Sequence, residues 1–215
     1  MNVGLFGGTF DPIHRGHMAV ARAAAKKFRL QKIYFVPSSL PPHRQGHPLT
    51  PYHHRFAMVT LATRGKKGFI PSSLEAPNGS SFSYSIDTVR ALKRELGKRD
   101  RVYFIIGIDA FMDIAKWHRA EALLREADFI VVSRPGYALA DVARALPRVV
   151  RPYPKVKAGG KPTLARAAVH FLLDVKAPVS ATQVRTAARR GKALGRFVDP
   201  AVAEYIKKTG LYRSG

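Results

Sequence analysis

Apolar and polar positions alternate along the chain between two kinds of segment. Asn2–Phe6, Lys32–Val36, Val102–Ile106, Phe129–Ser133 and Val169–Leu173 are short runs dominated by Val, Ile, Leu, Phe and Tyr, the length and composition of buried strands. Between them, His17–Phe28, Tyr52–Thr63, Ser85–Leu96 and Glu121–Glu126 carry apolar residues at helical spacing. Val102–Ile106 is apolar without a break, as a central parallel strand buried on both faces is. Gly97 predicts the C-terminal cap of Ser85–Leu96. Near the end, Thr182–Arg190 is followed by Gly191. Asp199-Pro200 then opens Ala201–Lys208, which Gly210 closes.

Strands that alternate with helices predict a Rossmann-like, doubly wound parallel α/β sheet with helices on both faces. A small helical region follows from about residue 180 to 215. The pattern weakens from Ala138 to Arg166, which holds one short helix and the basic Pro/Gly stretch Arg151–Pro162. Neither a repeat nor a long linker divides the 215 residues, so one domain is expected.

Composition narrows the class. At 46% hydrophobic and 24% charged residues the chain falls in the globular range. No apolar run approaches the roughly 18 residues of a membrane helix, and Met1 leads straight into a strand without a signal peptide, so a cytoplasmic protein is expected. Cysteine is absent, which excludes disulfides, thiolate metal sites and cysteine nucleophiles. The charge is the abnormal feature: Lys+Arg 37 against Asp+Glu 14 gives +23 and a pI near 10.9. Such a field attracts nucleic acid, anionic membrane or phosphorylated small molecules, but a solvated surface is an equal explanation. The basic residues are dispersed, with doublets such as Lys26-Lys27, Lys66-Lys67 and Arg189-Arg190.

The sharpest chemical signal is Gly7-Gly8-Thr9-Phe10-Asp11-Pro12-Ile13-His14-Arg15-Gly16-His17, between the first strand and the first helix. In a doubly wound sheet this turn sits at a strand's carboxyl end, where ligands bind. Gly7 and Gly8 permit close backbone approach to an anion, and the helix start offers unpaired N–H groups and a positive dipole end. The string is neither a Walker loop nor G-x-G-x-x-G. His14 and His17, with Gly16 leaving room beside them, instead offer two imidazoles that can hydrogen-bond phosphate oxygens during a displacement at phosphorus. Two histidines three apart without a third ligand make a weak zinc site. His43, His47, His53 and His54 are too unevenly spaced to suggest a metal. A second signal is Ser180-Ala181-Thr182-Gln183-Val184-Arg185. Hydroxyls and free N–H groups converge there on a helix start, and Arg185 lies one turn on. By itself this is also how an ordinary N-cap looks.

The motifs GGTFDPIHRGH, VPSSLPPHR, SYSIDTVRAL, FIIGIDAF, WHRAEALLREADFIVVSRPGY, VSATQVR and VDPAVAEYIKKTGLY, in that order, resemble those of the H-x-G-H nucleotidyltransferases. The more specific likeness is to the bacterial nicotinate-nucleotide adenylyltransferases. It runs from about Gly4 to Leu211, with only Ala138–Arg166 lacking a counterpart.

The resemblance implies adenylyl transfer from ATP to nicotinate mononucleotide, with Mg²⁺ carried on the triphosphate, in NAD biosynthesis. It implies His14, His17 and Arg185 as the catalytic cations and donors. Gly7, Gly8, Thr9, Phe10, Gly107, Asp109, Ser180 and Thr182 complete the ATP site. For the acceptor it implies Trp117, stacked on the pyridine ring, with Ser83, Tyr84 and Ser85 receiving the carboxylate and Arg134 nearby. It also implies Arg44 in the nicotinate mononucleotide site, closing over phosphate, although Arg44 stands where the family commonly has lysine and the two are not interchangeable. Read without the resemblance, Trp117 fits a core tryptophan, Ser83–Ser85 a capping segment and Arg134 a surface arginine. Two alternatives stay open: the same reaction on nicotinamide mononucleotide or a pantetheine phosphate, and a nucleic-acid-binding protein acting through its charge. Whether the chain forms a homo-oligomer is also open.

Overall fold

The computed structural model describes residues 1–39, 49–77, 83–132, 169–172, 175 and 179–213. The element order is β1 (Asn2–Gly8), α1 (Arg15–Phe28), β2 (Lys32–Pro37), α2 (Tyr52–Thr63), β3 (Phe69–Pro71), α3 (Ser85–Glu95), β4 (Arg101–Gly107), α4 (Ile108–Met112), a turn of 3-10 helix (Ile114–Lys116), α5 (Ala120–Glu126), β5 (Asp128–Val132), β6 (Val169–Leu172), α6 (Ala181–Arg189) and α7 (Pro200–Thr209). All strand pairs are parallel, and the six strands run in the order β3-β2-β1-β4-β5-β6.

This order makes the fold doubly wound. The chain starts in the middle of the sheet, steps outward through β2 and β3, then returns to β4 on the other side of β1. The reversal opens a crevice at the carboxyl ends of β1 and β4, the position at which open α/β sheets bind ligands.

Alternation along the strands divides the core. In β4, Tyr103 and Ile105 face one hydrophobic layer, with residues of α1, α2, α6 and α7 such as Ala21, Met58, Val184 and Ile206. Val102, Phe104 and Ile106 face the other, with Val89, Phe111 and Leu123 of α3, α4 and α5. Phe35, Ile105, Phe129 and Ile130 are fully buried, and burying a side chain of this kind is worth about 1.5–3 kcal/mol before entropy costs are counted. Among the described residues no helix is long and apolar enough to cross a membrane.

The elements expected within the described residues form with bounds shifted by a residue or two, the short helix expected between Ala138 and Arg166 lies outside those residues, and three differences have physical reasons. β3 escaped the sequence pattern: three half-buried residues between Gly68 and Ser72, on the sheet edge, carry too little periodicity to register. The short helical turns Ile108–Met112 and Ile114–Lys116 are likewise below the length at which a 3.6-residue period repeats. The cap expected at Gly97 is absent. α3 ends at Leu96 in an extended conformation, and the Gly97 N–H is taken by Asp100 Oδ2 at 3.0 Å. By contrast, α7 has both expected ends, with Asp199 capping Ala201 N–H and Gly210 left-handed at φ 68°.

Candidate active site

The β1–α1 turn is built on two buried anchors. Phe10 and Ile13 are each 1% exposed. The Phe10 ring meets Phe6 edge-on at 5.6 Å and His17 at 5.0 Å. Phe10 holds a left-handed backbone (φ 45°), a conformation costing a non-glycine residue roughly 1–2 kcal/mol. The Phe10 side chain is therefore part of the core beneath the histidines, and a ligand can meet only its backbone. Gly7, Gly8 and Thr9 are half-exposed at the carboxyl edge of β1.

His14 is the N-cap of α1, and His17 is its third residue. The His17 N–H donates to His14 Nδ1 at 3.4 Å, and the His14 N–H donates to His17 Nδ1 at 3.2 Å. This reciprocal cap normally uses Ser/Thr and Glu/Gln. It stacks the two rings, with centroids 3.7 Å apart and planes 24° apart. Since each Nδ1 accepts, the proton of each neutral ring is on Nε2. Burial, followed by the neighbouring His14, holds His17 well below the usual imidazole value of 6.5, so it is neutral at pH 7 and donates through Nε2–H.

The other signal arrives at the same place. Ser180 caps α6 in a second capping box with Gln183, so its hydroxyl serves the helix start. Thr182 Oγ1 accepts from Arg185 at 3.2 Å, and the Arg185 guanidinium donates to the Asp11 carbonyl at 2.7 Å. The residue before the cap packs against the start of α1: a Cβ on Gly16 would lie 2.9 Å from the Val179 carbonyl and 2.9 Å from His14 Nδ1. Two helix N-termini, two imidazoles and one guanidinium thus surround the end of β1, beside the crevice between β1 and β4. Concentrated donors and positive dipole ends of this kind suit a polyphosphate.

Four residues outside the predicted set hold this turn. Arg55, 2% exposed on α2, donates to the carbonyls of Thr9, Ser38, Ser39 and Thr50 at 2.7–3.3 Å. Asp11 is 6% exposed; its Oδ2 accepts the Thr50 N–H and its Oδ1 accepts the Tyr212 hydroxyl at 2.6 Å. Arg55 was legible only as a charged residue inside an otherwise apolar helix, and Tyr212 only as part of the terminal motif.

The predicted acceptor residues form a second group. Ser83 Oγ accepts the Ser39 N–H at 3.2 Å, joining the start of α3 to the end of β2. α3 begins at Ser85 with Tyr84 as N-cap and no side-chain cap hydrogen bond. Tyr84 stacks on His118 at 4.2 Å, so the α3 start and the Trp117–His118 segment adjoin. Trp117 is half-exposed and stands edge-on to Phe104 at 6.3 Å. His118 is a participant that the sequence reading passed over, although it follows the only tryptophan. Nearby, burial raises Glu75, which accepts the Thr88 hydroxyl at 2.6 Å. Gly107 ends β4, and Asp109 lies in the first turn of α4; both are exposed at the carboxyl edge. Arg44 and Arg134 lie outside the described residues, as does the basic stretch Arg151–Pro162. Among the described residues no group of three His, Asp or Glu is placed to hold a metal.

The sequence profile of the cytidylyltransferase-like family matches residues 5–187. A Moorella thermoacetica protein named "Probable nicotinate-nucleotide adenylyltransferase" is 38% identical over 211 residues, covering 98% of this chain and 91% of that one. A protein of the same name from Geobacter metallireducens is 36% identical, covering 99% and 98%. Among solved structures, Plasmodium falciparum nicotinic acid mononucleotide adenylyltransferase complexed with NaAD superposes with a TM-score of 0.72 at 21% identity, covering 98% of this chain and 97% of that one. The likeness to that structure is one of fold.

Proposed function

The chain belongs to the cytidylyltransferase-like family and, within it, to the nicotinate-nucleotide adenylyltransferases, and we propose that it transfers the adenylyl group of ATP to nicotinate mononucleotide, giving deamido-NAD and pyrophosphate. The single observation that carries this reading is the contact of Arg185 with the Asp11 carbonyl. It joins two motifs 174 residues apart at the switch point of the sheet.

The acceptor's phosphate oxygen attacks the α-phosphorus of ATP. A P–O bond forms to the mononucleotide, and the bond to the β-phosphate oxygen breaks in line with it. The attacking oxygen is already anionic, so no protein nucleophile is required. What the chain supplies is position and charge compensation. The Nε2–H groups of His14 and His17 and the guanidinium of Arg185 face the phosphates. The starts of α1 and α6 add their dipoles, and Gly7, Gly8 and Thr9 let the triphosphate approach the backbone. Gly107 and Asp109 take the ribose and adenosine portion. Ser180 and Thr182 serve the site through the shape of the α6 start. Mg²⁺ enters as part of the substrate, on the triphosphate, in keeping with an ion that retains its waters.

The acceptor ring stacks on Trp117, where a flat aromatic face rewards area and offset geometry. Its carboxylate meets the uncapped start of α3 at Ser83–Ser85, where N–H donors match two carboxylate oxygens. A carboxamide presents an NH₂ that cannot accept. Arg44 and Arg134, outside the described residues, are assigned to the acceptor on sequence alone. Such soluble nucleotide substrates make the cytoplasm the proposed compartment.

The test is pyrophosphate release with Mg²⁺–ATP against nicotinate mononucleotide, nicotinamide mononucleotide and pantetheine phosphate. Release is expected chiefly with the first. Comparable rates with all three would remove the acceptor assignment.

A second reading, binding of nucleic acid through charge alone, is favoured by one feature. α1 and α6 carry Arg15, Arg22, Lys26, Lys27, Arg185 and Arg189 and no carboxylate. On neighbouring α7 and its cap, Glu204 pairs with Lys208 and Asp199 with Lys66. Counterion release would make duplex affinity fall steeply with salt; weak binding that is flat in salt would discard this reading.

A further inference from the structure

We propose that Tyr212 is a positioning residue for the ATP half of the site, acting through Asp11 on Arg185. The inference rests on the adenylyltransferase reading above and adds to it a role for the C-terminal segment.

The chain takes an unusual route to bring this side chain home. α7 ends at Gly210 with φ 68°, and Tyr212 itself is left-handed at φ 65°. Left-handed backbone costs a tyrosine roughly 1–2 kcal/mol, and such strain persists only where the surroundings over-determine it. The result is a hook that returns from α7 to the β1–α1 turn and sets the phenol 2.6 Å from Asp11 Oδ1. Burial, and then the charge of Asp11, push the Tyr212 hydroxyl well above its ordinary value. It therefore stays a donor at every working pH.

The acceptor of that bond is a junction. The Asp11 carboxylate also takes the Thr50 N–H, and its carbonyl takes Arg185 at 2.7 Å. Arg55 fixes the carbonyls on either side, Thr9 and Thr50, at 2.8 and 2.7 Å. Among the described residues, Tyr212 is the one side chain that donates to the Asp11 carboxylate. Without that hydroxyl the carboxylate of Asp11, a residue only 6% exposed in the intact structure, would keep a single backbone donor at 3.3 Å, and a buried carboxylate short of donors is costly enough to turn toward water. A carboxylate drawn toward water pulls on the Asp11 backbone, and a shift there moves the carbonyl that leaves the remaining N–H groups of Arg185 aimed at the phosphates. The hydroxyl is not needed to fill space. The ring packs at the margin of the first hydrophobic layer, and phenylalanine would fill the same volume.

Tyr212→Phe is therefore the decisive variant. Its kcat/KM for ATP should fall about tenfold, a change equivalent to one misplaced charge-assisted hydrogen bond. KM for nicotinate mononucleotide should stay within about twofold of wild type. In an Arg185→Ala background the same change should cost less than about twofold, because the group through which it acts is gone. Affinity for α,β-methylene-ATP, measured by titration calorimetry, should weaken in parallel, and this arm needs no turnover. Wild-type ATP parameters in Tyr212→Phe would overturn the proposal. So would losses that multiply in the double variant, or equal rises in both KM values accompanied by a lowered melting temperature. If wild type releases no pyrophosphate with any acceptor, the functional reading fails, while the analogue titration still decides the role of Tyr212.

Discussion

The rings of His14 and His17 stack with centroids 3.7 Å apart because each Nδ1 closes the other residue's backbone N–H. The helix cap and the proposed phosphate donors are thus the same two side chains, with each Nδ1 facing the helix start. Glu at the third position would cap equally well but would offer no N–H donor. The motif consequently places imidazole where a capping box alone would not require it.

Replacing His17 by alanine removes one donor from the developing charge and one half of the cap. By comparison with loss of a single oxyanion donor, kcat should drop about 10²–10³-fold. Stability should fall by only about 1 kcal/mol, the usual worth of a cap. Single-turnover kinetics with a denaturant melt separate the two effects. Near-wild-type turnover would show that His17 serves the helix and not the reaction.

The neutrality of His17 also sets a pH dependence. Burial and the adjacent His14 lower its folded pKa below 6.5, whereas the unfolded chain titrates near that value. Above 6.5 neither state binds the proton and stability is at its plateau. As the pH falls through 6.5 toward the folded value, the unfolded state takes up a proton that the folded state refuses, and stability declines. Urea midpoints measured from pH 8 to pH 5 should show this decline, and His17→Gln should flatten it. A wild-type midpoint constant across that range would contradict a desolvated His17.

Much of the fold was legible because its signals are local. β4 declares itself through five consecutive apolar residues, and α7 through Asp199-Pro200 and Gly210. The glycine turn announced the proposed ATP half of the site, since Gly7, Gly8, His14 and His17 are contiguous in the sequence. What supports that turn was not legible. Arg55 serves carbonyls 5 to 46 positions away, and Tyr212 serves a carboxylate 201 positions away. Neither has a neighbour pattern of its own, and only the tertiary path reveals them. Phe10 shows what the motif alone left open: its ring lies in the core, so any ligand contact there is through its backbone.

Gly16 is where the starts of α1 and α6, the two halves of the proposed ATP site, touch. A methyl there would come within 2.9 Å of both the Val179 carbonyl and His14 Nδ1, and neither partner is the flexible end of a long side chain. Gly16→Ala should therefore push the α6 cap away from α1 at a cost of about 1–3 kcal/mol, although alanine is the better helix former. Activity should suffer beyond what the stability loss explains, because the Arg185–Asp11 contact spans the same gap. A melt and the KM for ATP, compared at a temperature where the variant is fully folded, check this. A variant as stable as wild type with an unchanged KM would mean that the contact relaxes without consequence.

Trp117 separates acceptor binding from core packing. It is half-exposed, edge-on to Phe104 and beside the stacked pair Tyr84–His118. If its face stacks on the pyridine ring, Trp117→Ala forfeits about 0.5–1.5 kcal/mol of stacking beyond area, and KM for nicotinate mononucleotide should rise up to about tenfold. KM for ATP should stay close to wild type, since the ATP side is built from β1, α1 and α6. Trp117→Phe keeps a flat face and should recover most of the loss. A core tryptophan would behave differently: alanine would lower the melting temperature and shift both KM values together, and phenylalanine would leave a cavity without restoring the acceptor. The ratio of the two KM changes across this pair of variants distinguishes the cases, because stacking affects one substrate while a loosened core affects both.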